Sequence, residues 1–310
     1  MSAPPAKKKP PAPQKLFSER SERPRPEKKP RRKKSKKRTQ VTEKKEIIFL
    51  GTGSAFPARS YNACYAIRIG SLLWLTDGGG GNGIFPLLEK ARISPRDLHH
   101  IFLSHAHTDH IFGLIWIIRK IVHLKMQELY DGPLCIYANA DSENAIREIC
   151  RLTFLPSYFQ TFLQVARFCP ANPGDKYLID GVNIDFFDAG SENVAQAGFR
   201  MTLPDGKSIV ALGDEALTTK NMRQAADADI LICGAFCRYA DRDVYKPYEK
   251  HHWTVKDVAQ IAANIKIGTL ILIHSEDLTP QKPDAYRDEA QKSFSGQIFI
   301  PLDGEIYSIE

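Results

Sequence analysis

The chain has 310 residues, of which 43% are hydrophobic and 25% charged, and its formal net charge is +7. This composition is typical of a soluble globular protein, and it excludes collagen-like and membrane-spanning classes because no apolar run approaches the ~20 residues of a transmembrane helix. The N-terminus lacks the apolar stretch of a secretion signal. We therefore expect a cytoplasmic protein with no membrane partner, and a nuclear location stays open if the source is eukaryotic.

Charge is divided unevenly along the chain. Residues 1–45 contain 18 basic and 4 acidic residues, and 8 of the 20 prolines lie in the first 30 positions, whereas the remainder is net acidic. Such a segment cannot bury enough apolar surface to offset chain entropy, so the sequence predicts a disordered tail at 1–45 and one folded domain at 46–310. The basic run at 31–38 fits a solubilising arm, a contact to RNA or another polyanion, or a nuclear targeting signal.

Short apolar runs alternate with helical patterns from residue 46 onward. In chain order, strands are predicted at 47–50, 64–69, 72–76, 100–103, 134–138, 177–179, 182–187, 198–203, 208–212, 230–233 and 269–273. Helices are predicted at 84–92, from Ser94 onward, and at 111–129, 142–152 and 254–265, with 153–175 unassigned. Meanders open each half, which predicts sheets in the middle with helices outside.

The segment 104–110 is the strongest chemical signal in the sequence. It contains His105, His107, Asp109 and His110 where a predicted strand gives way to a helix. A turn of this kind can direct His105 and His107 to one metal ion, and Asp109 and His110 to another. Imidazole and carboxylate suit zinc, iron or manganese. With nine histidines in the chain, this spacing is improbable by chance in a polar loop.

The HxHxDH arrangement resembles that of metallo-β-lactamase-fold hydrolases, and the segments 51–57 and 77–79 resemble their ribonuclease Z branch. The resemblance runs from residue 46 to the C-terminus and implies an α/β fold, a four-layer αββα sandwich. It also implies two divalent cations, zinc with manganese or iron as alternatives. Asp214, after the strand at 208–212, would bridge the two metals, and His274, after 269–273, would be the last ligand. Asp77 would steady the histidine loop.

Nuclease-like members of this fold carry a His-x-Thr motif, which His252 and Thr254 match, although Thr254 can equally cap a helix. The resemblance then implies a phosphodiesterase in which hydroxide formed from metal-activated water attacks phosphorus. Asp109 would be both ligand and acceptor of the water's proton, and His252 would protonate the leaving oxygen or bind the phosphate. A phosphodiester or nucleic acid is the expected substrate, and a homodimer stays open.

Three features depart from the family pattern. Gly190 occupies the place of a histidine ligand, so water or a neighbour such as Asp188 or Glu192 would complete a weaker first site. Gly234 replaces a glutamate that orients the His-x-Thr histidine in relatives, and 130–175 looks like ordered helix and strand rather than a tRNA-gripping arm. Two alternatives therefore stay open, a hydrolase of a carboxylic ester, lactone or thioester, and a catalytically reduced relative that binds a ligand or RNA.

Overall fold

The computed structural model describes residues 44–276 and 282–310, which form two seven-stranded mixed sheets flanked by helices. The predicted tail lies outside the described residues, except for Lys44 and for Lys45, which begins the first strand. Within the described ranges, no helix is both long and apolar enough to cross a bilayer.

The first sheet begins with an antiparallel meander and continues with parallel strands. Its spatial order is β14-β1-β2-β3-β4-β5-β6, and every pairing from β3 to β6 is parallel. The strands are β1 (Lys45–Gly51), β2 (Cys64–Ile69), β3 (Leu72–Thr76), β4 (His100–Phe102), β5 (Leu134–Ala138), β6 (Ala166–Pro170) and β14 (Ile306–Ser308).

The second sheet repeats this plan. An antiparallel meander from β7 to β10 is followed by parallel pairings from β10 to β13, in the order β13-β12-β11-β10-β9-β8-β7. The strands are β7 (Lys176–Ile179), β8 (Val182–Asp188), β9 (Ala197–Thr202), β10 (Ser208–Ala211), β11 (Ala228–Gly234), β12 (Ile267–Ile273) and β13 (Gln297–Phe299). Parallel strands end at one edge of a sheet, so the residues after β10 and β12 share an edge.

Helices cover the outer face of each sheet. They are α1 (Ile84–Lys90), α2 (Thr108–Met126), α3 (Ala140–Thr153), α4 (Pro156–Val165), α5 (Met222–Ala225), α6 (Arg242–Tyr245), α7 (Val255–Ala262) and α8 (Lys282–Ala290). Single 3₁₀ turns lie at Tyr239–Asp241 and Tyr248–Lys250.

Three apolar cores separate these layers. The middle core lies between the sheets, where the buried ring of Trp74 contacts Phe102, Tyr137 and Phe199. The two outer cores join each sheet to its helices. Two sheets enclosed by helices make the predicted four-layer αββα sandwich, and the prediction of this fold class is confirmed.

Several local predictions were wrong or incomplete. Ser94 does not start a helix, because Asp97 N donates to Ser94 O at 2.9 Å and closes a turn instead. The helix predicted at 142–152 begins two residues earlier, where the side chain of Asn139 accepts from Ser142 N and caps it. The unassigned segment 153–175 contains α4 and the edge strand β6. The described part of 130–175 is ordered helix and strand, as expected.

Candidate metal centre

Three strand ends bring the predicted ligands to one place. His105 lies three residues beyond β4, His107 precedes the first residue of α2, and Asp109 and His110 lie in the first turn of that helix. From the second sheet, Asp214 follows β10, and His274 follows β12 directly. An isolated bridge between Gly53 and Ser275 holds the end of β1 beside that last strand.

His105, His107 and Asp214 form what we call the first position. Nε2 of His105 lies 2.9 Å from Nδ1 of His107 and 3.6 Å from Oδ2 of Asp214. His105 is buried and His107 is exposed, so this position opens toward solvent. Ligand atoms of His105, His110 and Asp214 lie within 4.8 Å of one another, whereas His107 joins no such group among the described residues.

Asp109, His110, His274 and Asp214 form the second position, and all four are buried. Oδ2 of Asp109 lies 3.3 Å from Nε2 of His110 and 3.6 Å from Nε2 of His274. Oδ2 of Asp214 lies 3.6 Å from His274 Nε2 and 3.8 Å from His110 Nε2. The same Asp214 oxygen therefore faces both positions.

The unsatisfied ring nitrogens of the second position fit a metal ion. Nε2 of His110 and both ring nitrogens of His274 are buried and have no hydrogen-bond partner among the described residues. Buried polar atoms in proteins are normally paired, and each exception calls for a missing partner. Imidazole nitrogen and carboxylate oxygen are the ligands that zinc and related divalent ions prefer. The residues present fit such an ion.

Electrostatics favour the ligand forms of His105 and of the two carboxyl groups, whereas Asp77 and Asp109 outweigh burial and raise the pKa of His110. Burial lowers the pKa of His105 to about 4, so this ring is neutral at pH 7. Burial alone would raise the pKa of Asp214, but the imidazoles of His105, His274 and His110 outweigh it and hold the pKa below its ordinary value. The nearby imidazoles of His110 and His274 likewise outweigh burial at Asp109 and lower the pKa of its carboxyl group. Both carboxyl groups are therefore ionised at neutral pH.

Asp77 holds the histidine loop from behind. Its Oδ1 accepts from Ser104 N at 2.8 Å, and its Oδ2 accepts from Ser104 Oγ and from Nδ1 of His110, both at 2.8 Å. Nδ1 of His110 must carry the proton, because a carboxylate only accepts. When His110 is neutral, that tautomer leaves Nε2 as the unprotonated nitrogen facing the second position. The structure thus places Asp77 where the resemblance implied.

Close backbone approach explains two glycines near this loop. A Cβ on Gly113 of α2 would lie 1.8 Å from the carbonyl oxygen of Gly78, and a Cβ on Gly78 would lie 2.1 Å from Leu114 N. Gly78 N donates to His110 O at 2.9 Å, and Gly113 N donates to Gly79 O at 2.7 Å. The glycine-rich segment therefore lets the chain run against the first turns of α2.

His252 lies beside the second position. Its ring stacks on Phe236 with centroids 4.7 Å apart, and its centroid is 5.2 Å from that of His274. Burial lowers the pKa of His252 to about 4, and His274 adds to this effect. Thr254 caps α7 in a capping box, because its Oγ1 accepts from Asp257 N and its own backbone N donates to Asp257 Oδ2 at 3.1 Å. The capping alternative for Thr254 is the one the structure shows.

Gly190 and Gly234, the two glycines that depart from the family pattern, lie in different surroundings. Gly190 has φ +86°, and a Cβ there would meet Lys220 at 3.4 Å on the rim of a cavity. Within the described ranges, neither Asp188 nor Glu192 joins His105 in a group of metal ligands. Asp188 accepts from Gly190 N at 2.8 Å, and Glu192 pairs with Lys220.

Gly234 stands where a side chain has no room. A Cβ at this residue would lie 1.9 Å from the carbonyl oxygen of Asp214, and Gly234 N donates to Glu215 O at 2.8 Å. Glycine thus lets the end of β11 approach the segment that carries Asp214. His252 consequently packs on an aromatic ring rather than against a carboxylate at position 234.

Sequence reasoning missed the cavity of about 250 Å³ beside His252 and two polar residues near Asp214. Burial raises the pKa of Glu215 to about 7. The amide of buried Gln196 donates to Asp214. Glu215 adjoins a predicted ligand in sequence, which was a usable signal, whereas no pattern singles out Gln196. The cavity is lined by Gly190, Glu192, Glu215, Thr218, Thr219, Lys220, Tyr248, His251, His252 and Trp253.

Comparisons with known proteins place these observations in a family context. The model of the family described as Anti-Pycsar protein Apyc1 matches residues 45–283. The chain is 25% identical over 278 residues to Ribonuclease Z of Lacticaseibacillus casei (strain BL23), covering 74% of this chain and 84% of the relative. It is 27% identical over 309 residues to Ribonuclease Z of Prochlorococcus marinus (strain MIT 9313), covering 82% and 94%.

Solved structures show the same fold. The metallo-β-lactamase fold protein YhfI from Bacillus subtilis superposes with a TM-score of 0.68 at 21% identity, covering 86% of this chain and 100% of that one. The short form of human tRNase Z superposes with a TM-score of 0.64 at 22% identity, covering 86% and 99%. The chain therefore has the metallo-β-lactamase fold.

Proposed function

The chain belongs to the family of Anti-Pycsar protein Apyc1, and from this membership and the geometry of its metal centre we propose that it is a metal-dependent phosphodiesterase of the ribonuclease Z-like kind. The observation that carries the proposal is the convergence of four buried ligands, Asp109, His110, Asp214 and His274, with ring nitrogens that lack any other partner among the described residues. Curated relatives named Ribonuclease Z support a phosphodiester as the bond that is cleaved.

Two divalent cations would be held by residues that are already in place. His105, His107 and Asp214 would hold one, and Asp109, His110, Asp214 and His274 the other. Zinc suits this ligand set, and manganese or iron is the alternative. When bound, such ions supply Lewis-acid charge for phosphoryl oxygens and lower the pKa of a coordinated water.

His252 would contact the phosphate group or the leaving oxygen of the substrate. Its pKa of about 4 makes the ring neutral at pH 7, with one N–H donor and one acceptor nitrogen. Stacking on Phe236 fixes the ring plane, so the donor would be held toward a phosphoryl or leaving oxygen. This arrangement favours hydrogen bonding to the phosphate over delivery of a proton from an imidazolium. Asp109 would orient the attacking water as well as serve as a ligand.

The adjacent cavity would receive the organic part of the substrate. Trp253 and Tyr248 offer aromatic surface, and Lys220 offers a positive charge. A planar group can stack on such rings, and an ammonium group complements a phosphate. The lining is thus suited to an aromatic phosphodiester.

The basic tail would contribute through long-range attraction. The acidic balance of residues 46–310 does not favour a polyanion, whereas the 18 basic residues of 1–45 do. We expect binding of single-stranded RNA by the full chain to weaken steeply with salt, because lysine and arginine release counterions from phosphates. Affinity that is unchanged on removal of the tail would contradict this role.

The activity test uses the full chain loaded with Zn²⁺ or Mn²⁺ and bis(p-nitrophenyl) phosphate, in parallel with a lactone substrate. We expect phosphodiester turnover that EDTA abolishes, and a loss of more than about 100-fold in Asp214→Asn and His110→Ala. His123→Ala, on α2, is the matched control. Lactone turnover without phosphodiester turnover would favour the acyl alternative. Folded protein that hydrolyses neither substrate with any divalent metal would overturn the enzyme proposal.

A further inference from the structure

Gln196 occupies a junction between the two halves of the metal centre. It precedes β9 directly and is only 4% exposed. Ala197 N donates to Ser104 O at 3.1 Å, next to His105, and Ala189 N donates to Gln196 O at 3.0 Å. The backbone of this residue is therefore tied both to the histidine loop and to the end of β8.

The orientation of its side chain is determined by its partners. Nε2 of Gln196 donates to Oδ1 of Asp214 and lies 3.4 Å from the carbonyl oxygen of Leu212. Both partners can only accept, so the NH₂ group and not the amide oxygen must face them. Gly213 leaves room for this amide, since a Cβ there would lie 2.3 Å from Nε2 and its φ is +68°.

This contact gives the two carboxylate oxygens of Asp214 different partners. Oδ1 of Asp214 is held by the amide, whereas Oδ2 faces Nε2 of His105 and of His274, both at 3.6 Å, and Nε2 of His110 at 3.8 Å. A carboxylate free to rotate about its χ2 bond could turn both oxygens toward one ion. The amide of Gln196 opposes that rotation.

We propose that Gln196 is a positioning residue that reserves a single oxygen of Asp214 as the bridge between two metal ions. The inference rests on the proposed function, because it requires both positions to bind cations. Because Gln196 is neutral, it orients the carboxylate without adding a second negative charge beside it. Loss of the amide should leave Asp214 less well oriented. We expect this to lower the metal affinity of the solvent-facing first position most, because Asp214 is the only carboxylate assigned to it.

The test compares Gln196→Met, which keeps the length of the side chain and removes the donor, with wild type and with Gln260→Met on the exposed side of α7. Zn²⁺ binding to the metal-free protein is measured by titration calorimetry. We expect the second equivalent of zinc to bind roughly 10- to 100-fold more weakly in Gln196→Met, the range typical of residues that orient metal ligands. Its affinity should be unchanged in Gln260→Met. Spin coupling in the electron paramagnetic resonance spectrum of the Mn²⁺-loaded protein should weaken in parallel.

The outcomes separate this inference from the function on which it rests. If wild type binds no zinc, the proposed function fails. If wild type binds two zinc ions and Gln196→Met binds them equally well, with unchanged spin coupling, the role of Gln196 is overturned and the function stands. If Gln196→Met does not fold, Gln196→Leu supplies the same comparison, because it removes the same donor with a shorter apolar side chain. Lower thermal stability without weaker zinc binding would indicate a structural role alone and would also overturn the proposal.

Discussion

Nδ1 of His110 donates to Oδ2 of Asp77 at 2.8 Å, and the same carboxylate holds both the backbone and the hydroxyl of Ser104. One side chain thus holds the proton of His110, a proposed metal ligand, on Nδ1 and fixes the path of the loop that carries His105. Asp77 itself has φ +57°, a conformation that asparagine also tolerates.

Asp77→Asn tests this arrangement without changing the backbone preference. The amide NH₂ cannot accept from His110 and Ser104, so one of these bonds is lost. We expect zinc affinity to fall about 10- to 100-fold, as measured by titration calorimetry. Asp185→Asn, on β8, is the control. Unchanged zinc affinity in Asp77→Asn would show that the bond to His110 does not tune the ligand.

Gly113→Ala should destabilise the fold through a backbone clash. The added methyl group would lie 1.8 Å from Gly78 O, and neither backbone can move without shifting the histidine loop. We expect the free energy of unfolding in urea to drop by about 3 kcal/mol. Gly81→Ala is the matched control, because nothing lies within 4 Å of its Cβ, and it should change stability by less than about 0.5 kcal/mol. Equal effects at the two sites would contradict this account.

His252→Ala should separate catalysis from metal binding. The ring stacks on Phe236 and lies beside the proposed ligand His274 without belonging to either metal position. We expect kcat on bis(p-nitrophenyl) phosphate to fall about 100- to 1,000-fold, the loss typical of one hydrogen-bond donor to the transition state, while two zinc ions per chain remain bound. Metal content is checked by elemental analysis after dialysis. A parallel loss of zinc would assign His252 to the metal centre instead.

His100 should make stability depend on pH. Its Nδ1 lies 3.1 Å from Tyr137 Oη, and burial lowers its pKa below 6.5 although Asp180 acts in the opposite direction. Below pH 6.5 the unfolded chain therefore binds more protons at this residue than the folded chain, so the free energy of unfolding falls as the pH falls.

His100→Gln removes that contribution. Urea unfolding in EDTA at about pH 7.5 and about pH 5.5 should show a smaller loss of stability in the variant than in wild type. The comparison between the two pH values cancels any constant effect of losing the bond to Tyr137. Identical losses in both proteins would mean that His100 does not contribute to the pH dependence.

The meeting of the proposed ligands at one place was predictable because three of them follow apolar strands. The strands before His105, Asp214 and His274 are apolar and mostly buried. Residues that follow parallel strands lie at the same edge of a sheet. Their proposed role as ligands remains a prediction that metal binding must test.

Other parts of the fold were not predictable from local pattern. Around 153–175, Leu163 of α4 and Leu155 just before it are apolar yet exposed. The hydrophobic pattern therefore does not show which face of this helix is buried. At Ser94, a proline after a good capping residue signalled a helix, but the chain turns before a second helical turn forms. Gln196 reaches Asp214 across 18 positions, and only the sheet brings the two together.

The pairing of β14 with β1 has a consequence for how the chain folds during synthesis. The strand Ile306–Ser308 leaves the second half of the molecule to complete the first sheet, beside a strand that begins at Lys45. Until those late residues emerge, Ile47 and its neighbours present an open row of amide and carbonyl groups, the feature that promotes intermolecular strand addition. A nascent or shortened polypeptide lacking 306–308 should therefore be prone to self-association, even though every proposed metal ligand has already been made.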